Sequence, residues 1–104
     1  MPSGTLGRAM LAATTSTTVY TVPAGKTASL TVSFCNQSSS DPAKIRLSLT
    51  SLASATANSY LEYDSNIPAN GILERGAIVA GAGENIIVRA TSDTVSCVVY
   101  GIEE

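Results

Sequence analysis

Between positions 19 and 36 the chain reads V-Y-T-V-P-A-G-K-T-A-S-L-T-V-S-F-C-N. Leu30, Val32 and Phe34 alternate with Ser29, Thr31 and Ser33. Successive side chains of a strand point to opposite faces, so a period of two describes a strand buried on one side only. Residues 19–22, β-branched and aromatic, share that preference. Between them Pro23-Ala24-Gly25-Lys26 reads as a tight turn, because proline presets φ and glycine accepts positive φ. The segment is expected to be strand, turn, strand, and the same grammar recurs to the C-terminus.

A polar loop follows at residues 36–42, its Asp41-Pro42 end held extended by the proline. Ile45, Leu47 and Leu49 then alternate with Lys44, Arg46 and Ser48, a strand whose charged face is assigned to solvent or to a neighbouring subunit. Residues 52–59 lack a 3.6-residue period and read as a loop. Residues 60–63 form a short strand, and Asp64-Ser65-Asn66 an Asx-type turn. Residues 67–71 are a further turn, whose Asn70-Gly71 pair is a strong hairpin signal. Residues 72–79 are a strand with a candidate bulge at Gly76. A Gly-rich turn at 80–84 echoes Pro23-Ala24-Gly25-Lys26 and leads to a strand at 85–91 with Ile86, Val88 and Ala90 on one face. Residues 94–102 are apolar enough for a central strand, with Glu103 and Glu104 keeping the last edge charged. No helical pattern appears. The expected fold is all-β: a single β-sandwich of seven to eight antiparallel strands, jelly-roll-like ahead of immunoglobulin-like.

The first eighteen residues stand apart. Residues 1–7 are small and read as an arm with no core of its own. Met10-Leu11-Ala12-Ala13 is a short apolar run that suits a first edge strand, or an arm docking on a neighbouring subunit. Residues 1–18 are therefore set down as an N-terminal arm or edge strand and 19–104 as the sandwich domain. Leu6, Arg8, Met10 and Leu11 are the candidate partner-binding residues.

Composition removes several classes of function. Charged residues make up 13% of the 104, about half of the usual ~25%, and Ser, Thr and Asn replace them. Such a surface suits burial against neighbours. Six cations and eight anions leave a net charge of −2, with Lys44 and Arg46 the nearest basic pair. Without a basic patch, and with five aromatic residues in all, nucleic-acid binding is not expected. The absence of histidine removes the Ser-His-Asp and Cys-His forms of nucleophilic catalysis. Carboxylate-pair chemistry has Glu62, Asp64, Glu74 and Glu84 to draw on. Glu62 and Asp64, two apart, would share a strand face, as residues of any solvated strand do, so no catalytic residue is assigned. Asp64-Ser65-Asn66 lacks the spacing of a calcium loop. Gly81 and Gly83 precede a strand where a phosphate cradle needs a helix. No metal or cofactor is expected. Cys35 and Cys97 lack metal-site spacing and, in a cytosol, are expected as free thiols. No apolar run is long enough to span a membrane, and the N-terminus does not read as a secretory signal. Tyr60 and Tyr63 might have made a platform for a glycan, but three apart on a strand they would face opposite sides.

Several stretches together resemble small structural proteins of tailed bacteriophages. They are Tyr20-Thr21-Val22-Pro23-Ala24-Gly25-Lys26-Thr27-Ala28, Cys35-Asn36, Tyr60-Leu61-Glu62-Tyr63-Asp64, Ile67-Pro68-Ala69-Asn70-Gly71-Ile72-Leu73-Glu74-Arg75 and Val98-Val99-Tyr100-Gly101-Ile102-Glu103-Glu104. The resemblance covers residues 19 to 104 and leaves 1–18 unmatched. It implies a non-enzymatic β-sandwich component of the virion, made in the host bacterial cytoplasm and often oligomeric. A capsid decoration (cement) protein on major capsid protein, with a homotrimer favoured, is the first expectation. A tail, neck or fibre-associated protein is the alternative, and a glycan-binding receptor module is the rival from another class.

Overall fold

The computed structural model describes residues 3–104. Eight strands carry the fold: β1 (Ser3–Met10), β2 (Thr17–Thr21), β3 (Ala28–Asn36), β4 (Ala43–Thr50), β5 (Tyr60–Ile67), β6 (Ile72–Ala80), β7 (Asn85–Ala90) and β8 (Val95–Glu103). They form two antiparallel sheets, a first of order β1-β8-β3-β6 and a second of order β2-β7-β4-β5. Inward residues of both sheets make one core, with Val32, Phe34, Ile45, Leu47, Ile86, Val95 and Val99 fully buried. Each such side chain contributes about 1.5–3 kcal/mol by leaving water. The expected all-β sandwich is what forms.

The winding differs from the local reading. β1 pairs with β8, β2 with β7, β3 with β6, and β4 with β5. Those are the pairings of one long antiparallel ribbon rolled over on itself, in the jelly-roll manner. Of the sequential neighbours, only β4 and β5 share a sheet. The Pro23-Ala24-Gly25-Lys26 turn is present, with the Lys26 N–H donating to the Pro23 carbonyl at 3.1 Å. It carries the chain from β2 in one sheet to β3 in the other, so it is an arch and no hairpin. The turn at 68–71 is also present (Gly71 N–H to Pro68 carbonyl, 2.9 Å) and also crosses between sheets. A turn reverses the chain whatever the strands then pair with; the buried faces choose the partners. The two turns that echo each other in sequence lie side by side, since Val22 bonds to Glu84 (3.0 Å) and Gly83 to Val22 (2.9 Å).

Of the two alternatives for the N-terminal segment, arm or edge strand, residues 3–10 take the edge strand: residues 3–7, read as an arm with no core of its own, lie in β1 and pair along β8; Met1 and Pro2, also placed in the arm, lie outside the described residues. β1 also begins well before the apolar run at 10–13, because backbone pairing with β8 gives the small residues a place that their side chains do not. Gly7 permits a close approach to β2: a Cβ there would sit 2.2 Å from the Val19 carbonyl oxygen. With β1 outside it, β8 is central. Glu103 is accordingly buried, accepting a hydrogen bond from the Tyr20 hydroxyl, and does not charge an edge.

Every register break falls on an outer strand. β1, β2, β5 and β6 each carry a bulge or skipped residue, whereas the β3–β8 and β4–β7 ladders run without a shift. Bulges twist an edge away from pairing with another chain, which is how sheet proteins avoid edge-to-edge aggregation. In β6 two residues, Gly76 and Ala77, stand where β3 has one, and Ala77 takes φ +57°. In β5 the expected Asx turn at 64–66 is replaced by a bulge within the strand, with Asp64 at φ +53°.

One end of the sandwich is tied by Asn36, which is fully buried. Its Nδ2 donates towards the carbonyls of Asp41 (2.9 Å), Ile67 (3.2 Å) and Pro68 (3.3 Å), and its Oδ1 accepts from the Ser38 N–H and the Thr94 hydroxyl. The two cysteines are free. They lie on neighbouring strands, Cys35 opposite Ser96 and Cys97 opposite Phe34. Cys97 is buried in the core while Cys35 is on the outward side, so strand alternation keeps them on opposite faces of one sheet.

Candidate functional site

The two outer faces are chemically unlike. On the first sheet, β8 turns Ser96, Val98, Tyr100 and Ile102 outward, and β3 turns Ser29, Thr31, Ser33 and Cys35. The register sets Ser29 between Ile102 and Val79, and Cys35 between Ser96 and Ile72. β1 adds Arg8 across from Val98 and Met10 across from Ser96. Ile72, Val79, Met10 and Ile102 are 67%, 65%, 55% and 46% exposed. A shallow depression between β1 and β8 is lined by Arg8, Met10, Ser96 and Val98. The Tyr100 hydroxyl donates to Glu74 at 2.9 Å, and that carboxylate raises the hydroxyl's pKa.

The four candidate partner-binding residues divide between the two sides of β1. Arg8 and Met10 are exposed on the outer face. Leu6 packs against the core and Leu11 belongs to it, 1% exposed, because the chain turns inward after the Leu11 N–H bonds to Val95. Leu11 has no surface to offer a partner.

The outer face of the second sheet is polar. β4 turns Lys44 and Arg46 to this face, and Arg46 lies opposite Arg89 of β7, whereas Ser48 further along is fully buried opposite Ile87. The β5 bulge rearranges what a regular strand would do. Tyr60 and Tyr63 meet on one side with ring centroids 4.9 Å apart in a T-shaped pair, where strict alternation had placed them on opposite sides. A second register shift, between Glu62 and Ser65, separates Glu62 from Asp64, expected to share a face. Asp64 pairs with Arg46 (Oδ1 to Nε, 2.7 Å), and the Arg46 guanidinium sits 4.2 Å over the Tyr63 ring. Glu62 pairs with Arg75 of β6 (2.7 Å), tying the two sheets along one side. The Ser65 hydroxyl and then Arg75 hold the Glu62 carboxyl below its ordinary pKa. Asp64 is lowered as well, by its bonds from Arg46, with Lys44 and Arg89 adding charge.

Sequence reasoning missed Arg89. It is far from Lys44 and Arg46 in the chain. The inward assignment of Val88 and Ala90 already placed it outward, but only the β4–β7 register brings it to Arg46. Among the described residues no three of His, Cys, Asp and Glu gather as a metal ion would require. Among the described residues no helix is long and apolar enough to cross a membrane.

No family model matches the chain, and no curated protein matches it. Two similar solved structures are crystal structures of a pentameric capsid protein isolated from metagenomic phage sequences, each 14% identical. They overlay with TM-scores of 0.42 and 0.43 and cover 97% of this chain, which spans 62% and 63% of theirs.

Proposed function

We propose that the chain is a non-enzymatic structural protein of a bacteriophage virion. In this reading it is a capsid decoration protein that seats on major capsid protein as a homo-oligomer, with a trimer as the expected order. The observation that carries the proposal is the outer face of the first sheet. Single exposed apolar residues are ordinary. Here Met10, Ile72, Val79 and Ile102 share one sheet face whose outward strand positions carry only Arg8 and Glu74 as charges. Met10 and Ile72 stand at one end of this face and Val79 and Ile102 at the other, and a face so poor in charge suits covering by another protein. Bulges on all four outer strands leave faces, more than edges, for contact. Arg8 and Met10 contribute to docking, while Leu6 and Leu11 position β1. Jelly rolls serve viral capsids, lectins and cupins alike, so the fold does not select among them. The selection comes from the resemblance of residues 19–104 to phage structural proteins. The protein is made in the host bacterial cytoplasm and resides in the virion.

Quantifying the chain in purified particles tests this. Copies in fixed proportion to major capsid protein are expected. A few copies per particle would replace decoration by a tail, neck or fibre role. An Ile72→Lys/Val79→Lys double variant should stay folded and lose binding to capsids; undiminished binding removes the face from the proposal. A glycan-binding module is the second reading, favoured by Tyr60 and Tyr63 sharing a side. It ranks behind because the Arg46 guanidinium covers the Tyr63 ring, where a sugar would stack.

A further inference from the structure

Half of the chain's six cationic side chains, Lys44, Arg46 and Arg89, stand together on the outer face of the second sheet. Arg46 and Arg89 are direct cross-strand partners, and Lys44 is two residues along on the same face. Like charges placed so destabilise a sheet. One carboxylate offsets them: Asp64 accepts from Arg46 Nε at 2.7 Å and Nη2 at 3.4 Å. Among the described residues neither the Lys44 nor the Arg89 side chain has a hydrogen bond or ion pair. Two positive charges therefore stay uncompensated in a chain whose net charge is −2.

The cluster surrounds a cavity of about 60 Å³, lined by Lys44, Arg46, Asp64, Arg89, Ala90 and Thr91. A space of that size is enough to seat one small oxyanion head group. Tyr63 beneath the Arg46 guanidinium holds one donor in place beforehand.

We propose that Lys44, Arg46 and Arg89 form a carboxylate-binding site that receives an acidic side chain of a second, different polypeptide. Asp64 shows the mode, a carboxylate on guanidinium nitrogens. Another copy of this chain is a poor donor, because five of its eight carboxylates are held by its own groups. Glu62 is bound by Arg75, Asp64 by Arg46, Glu74 by Tyr100, Glu84 by the Gly81 N–H and Glu103 by Tyr20. The proposal depends on the virion reading only for which acidic protein is the partner.

Thermal unfolding of the purified full chain at low salt tests it, with an oligoglutamate peptide and, separately, inorganic phosphate at equal anionic charge. The peptide is expected to raise the Tm, with the effect fading near 0.15 M salt, where the Debye length is ~8 Å. Arg89→Gln should bind the peptide about tenfold more weakly and unfold at an equal or higher temperature without it, because a like-charge neighbour is gone. Equal stabilisation by phosphate overturns the carboxylate assignment. No response to either probe, or an unchanged response in Arg89→Gln, overturns the site. Dimerisation at low salt that Arg89→Gln abolishes makes the occupant a second copy and overturns the assignment to another protein. Absence of the chain from particles would refute the virion role while leaving the peptide result standing.

Discussion

Replacing Asn36 by alanine removes one amide and should cost the fold more than any surface change. The amide is fully buried and joins three segments that β-ladders do not connect: the loop after β3, the β5–β6 turn and the β7–β8 turn. Its two N–H protons are shared among three carbonyls and its oxygen accepts twice, giving the equivalent of four hydrogen bonds. At the central value of about 1 kcal/mol each the loss comes to about 4 kcal/mol, and the carbonyl that stays dry adds to it. The Ile67 carbonyl is the dry one, since that bond is buried, whereas those to Asp41 and Pro68 are partly open to water. For a domain of this size each kcal/mol moves the Tm by ~4–8 °C, so a fall of about 16–32 °C is expected. Urea unfolding followed by far-ultraviolet circular dichroism measures it, with an unchanged m-value as the check that the denatured state is the same. Asn66→Ala, exposed on β5, is the control and should stay within ~0.5 kcal/mol. A loss below ~1 kcal/mol for Asn36→Ala, or one equal to the control, refutes the reasoning. Asn36→Asp adds a second reading. It keeps the shape and the acceptor but turns an anionic oxygen towards carbonyls, which raises the introduced carboxyl's pKa. Its deficit should therefore shrink as pH falls and the protonated group donates again; a pH-independent deficit would point to packing in place of hydrogen bonding.

Three other outcomes follow from the same geometry. Gly101→Ala should yield little folded protein, because φ is +151° and the new Cβ would stand 2.0 Å from the Ser29 carbonyl oxygen in the central ladder; Gly76→Ala, meeting nothing nearer than Thr31 Oγ1 at 3.5 Å, should fold normally in the same expression test. Burial, with help from Glu103, pushes the Tyr20 hydroxyl up to about 12. A pKa raised on folding stabilises below the unfolded value near ~10. That stability should be lost between about pH 10 and 12, and Glu103→Gln should bring the Tyr20 absorbance step to lower pH. For the thiols, labelling under native conditions should modify Cys35 well before Cys97, whose thiol burial pushes up to about 12, and unfolding without reductant should expose both; a missing second label would contradict their placement on opposite faces.

Much of the fold was legible because strand periodicity is a local property. Ile45, Leu47 and Leu49, and Leu30, Val32 and Phe34, announce their buried faces by alternation alone, and these strands form close to where they are expected. β1 was harder. Ser3, Gly4, Thr5 and Gly7 carry no alternating apolar signal, and they form a strand because β8 offers a ladder of backbone donors and acceptors. The sites were legible only in pieces. Arg46 and Asp64 were each visible in the sequence, but the pairing depends on a bulge that swings Asp64 to the outer face. A second irregularity in β5, between Tyr60 and Glu62, reverses the conclusion drawn from the spacing of Tyr60 and Tyr63, since inserting one residue turns every later side chain to the other face.

By itself, the sequence determined that the chain is all-β, where most of its strands and turns lie, and which side chains are available for the core. Those are consequences of side-chain alternation and of proline and glycine chemistry, which act over a few residues. Only the tertiary structure decided that the turns at 23–26 and 68–71 are arches between sheets and that Cys35 and Cys97 face apart. It alone gathered Met10, Ile72, Val79 and Ile102 on one face and Lys44, Arg46 and Arg89 on another. The physical reason is register: which residue stands opposite which is set by burying both sheets' apolar faces together, a condition on the whole chain that no single segment contains.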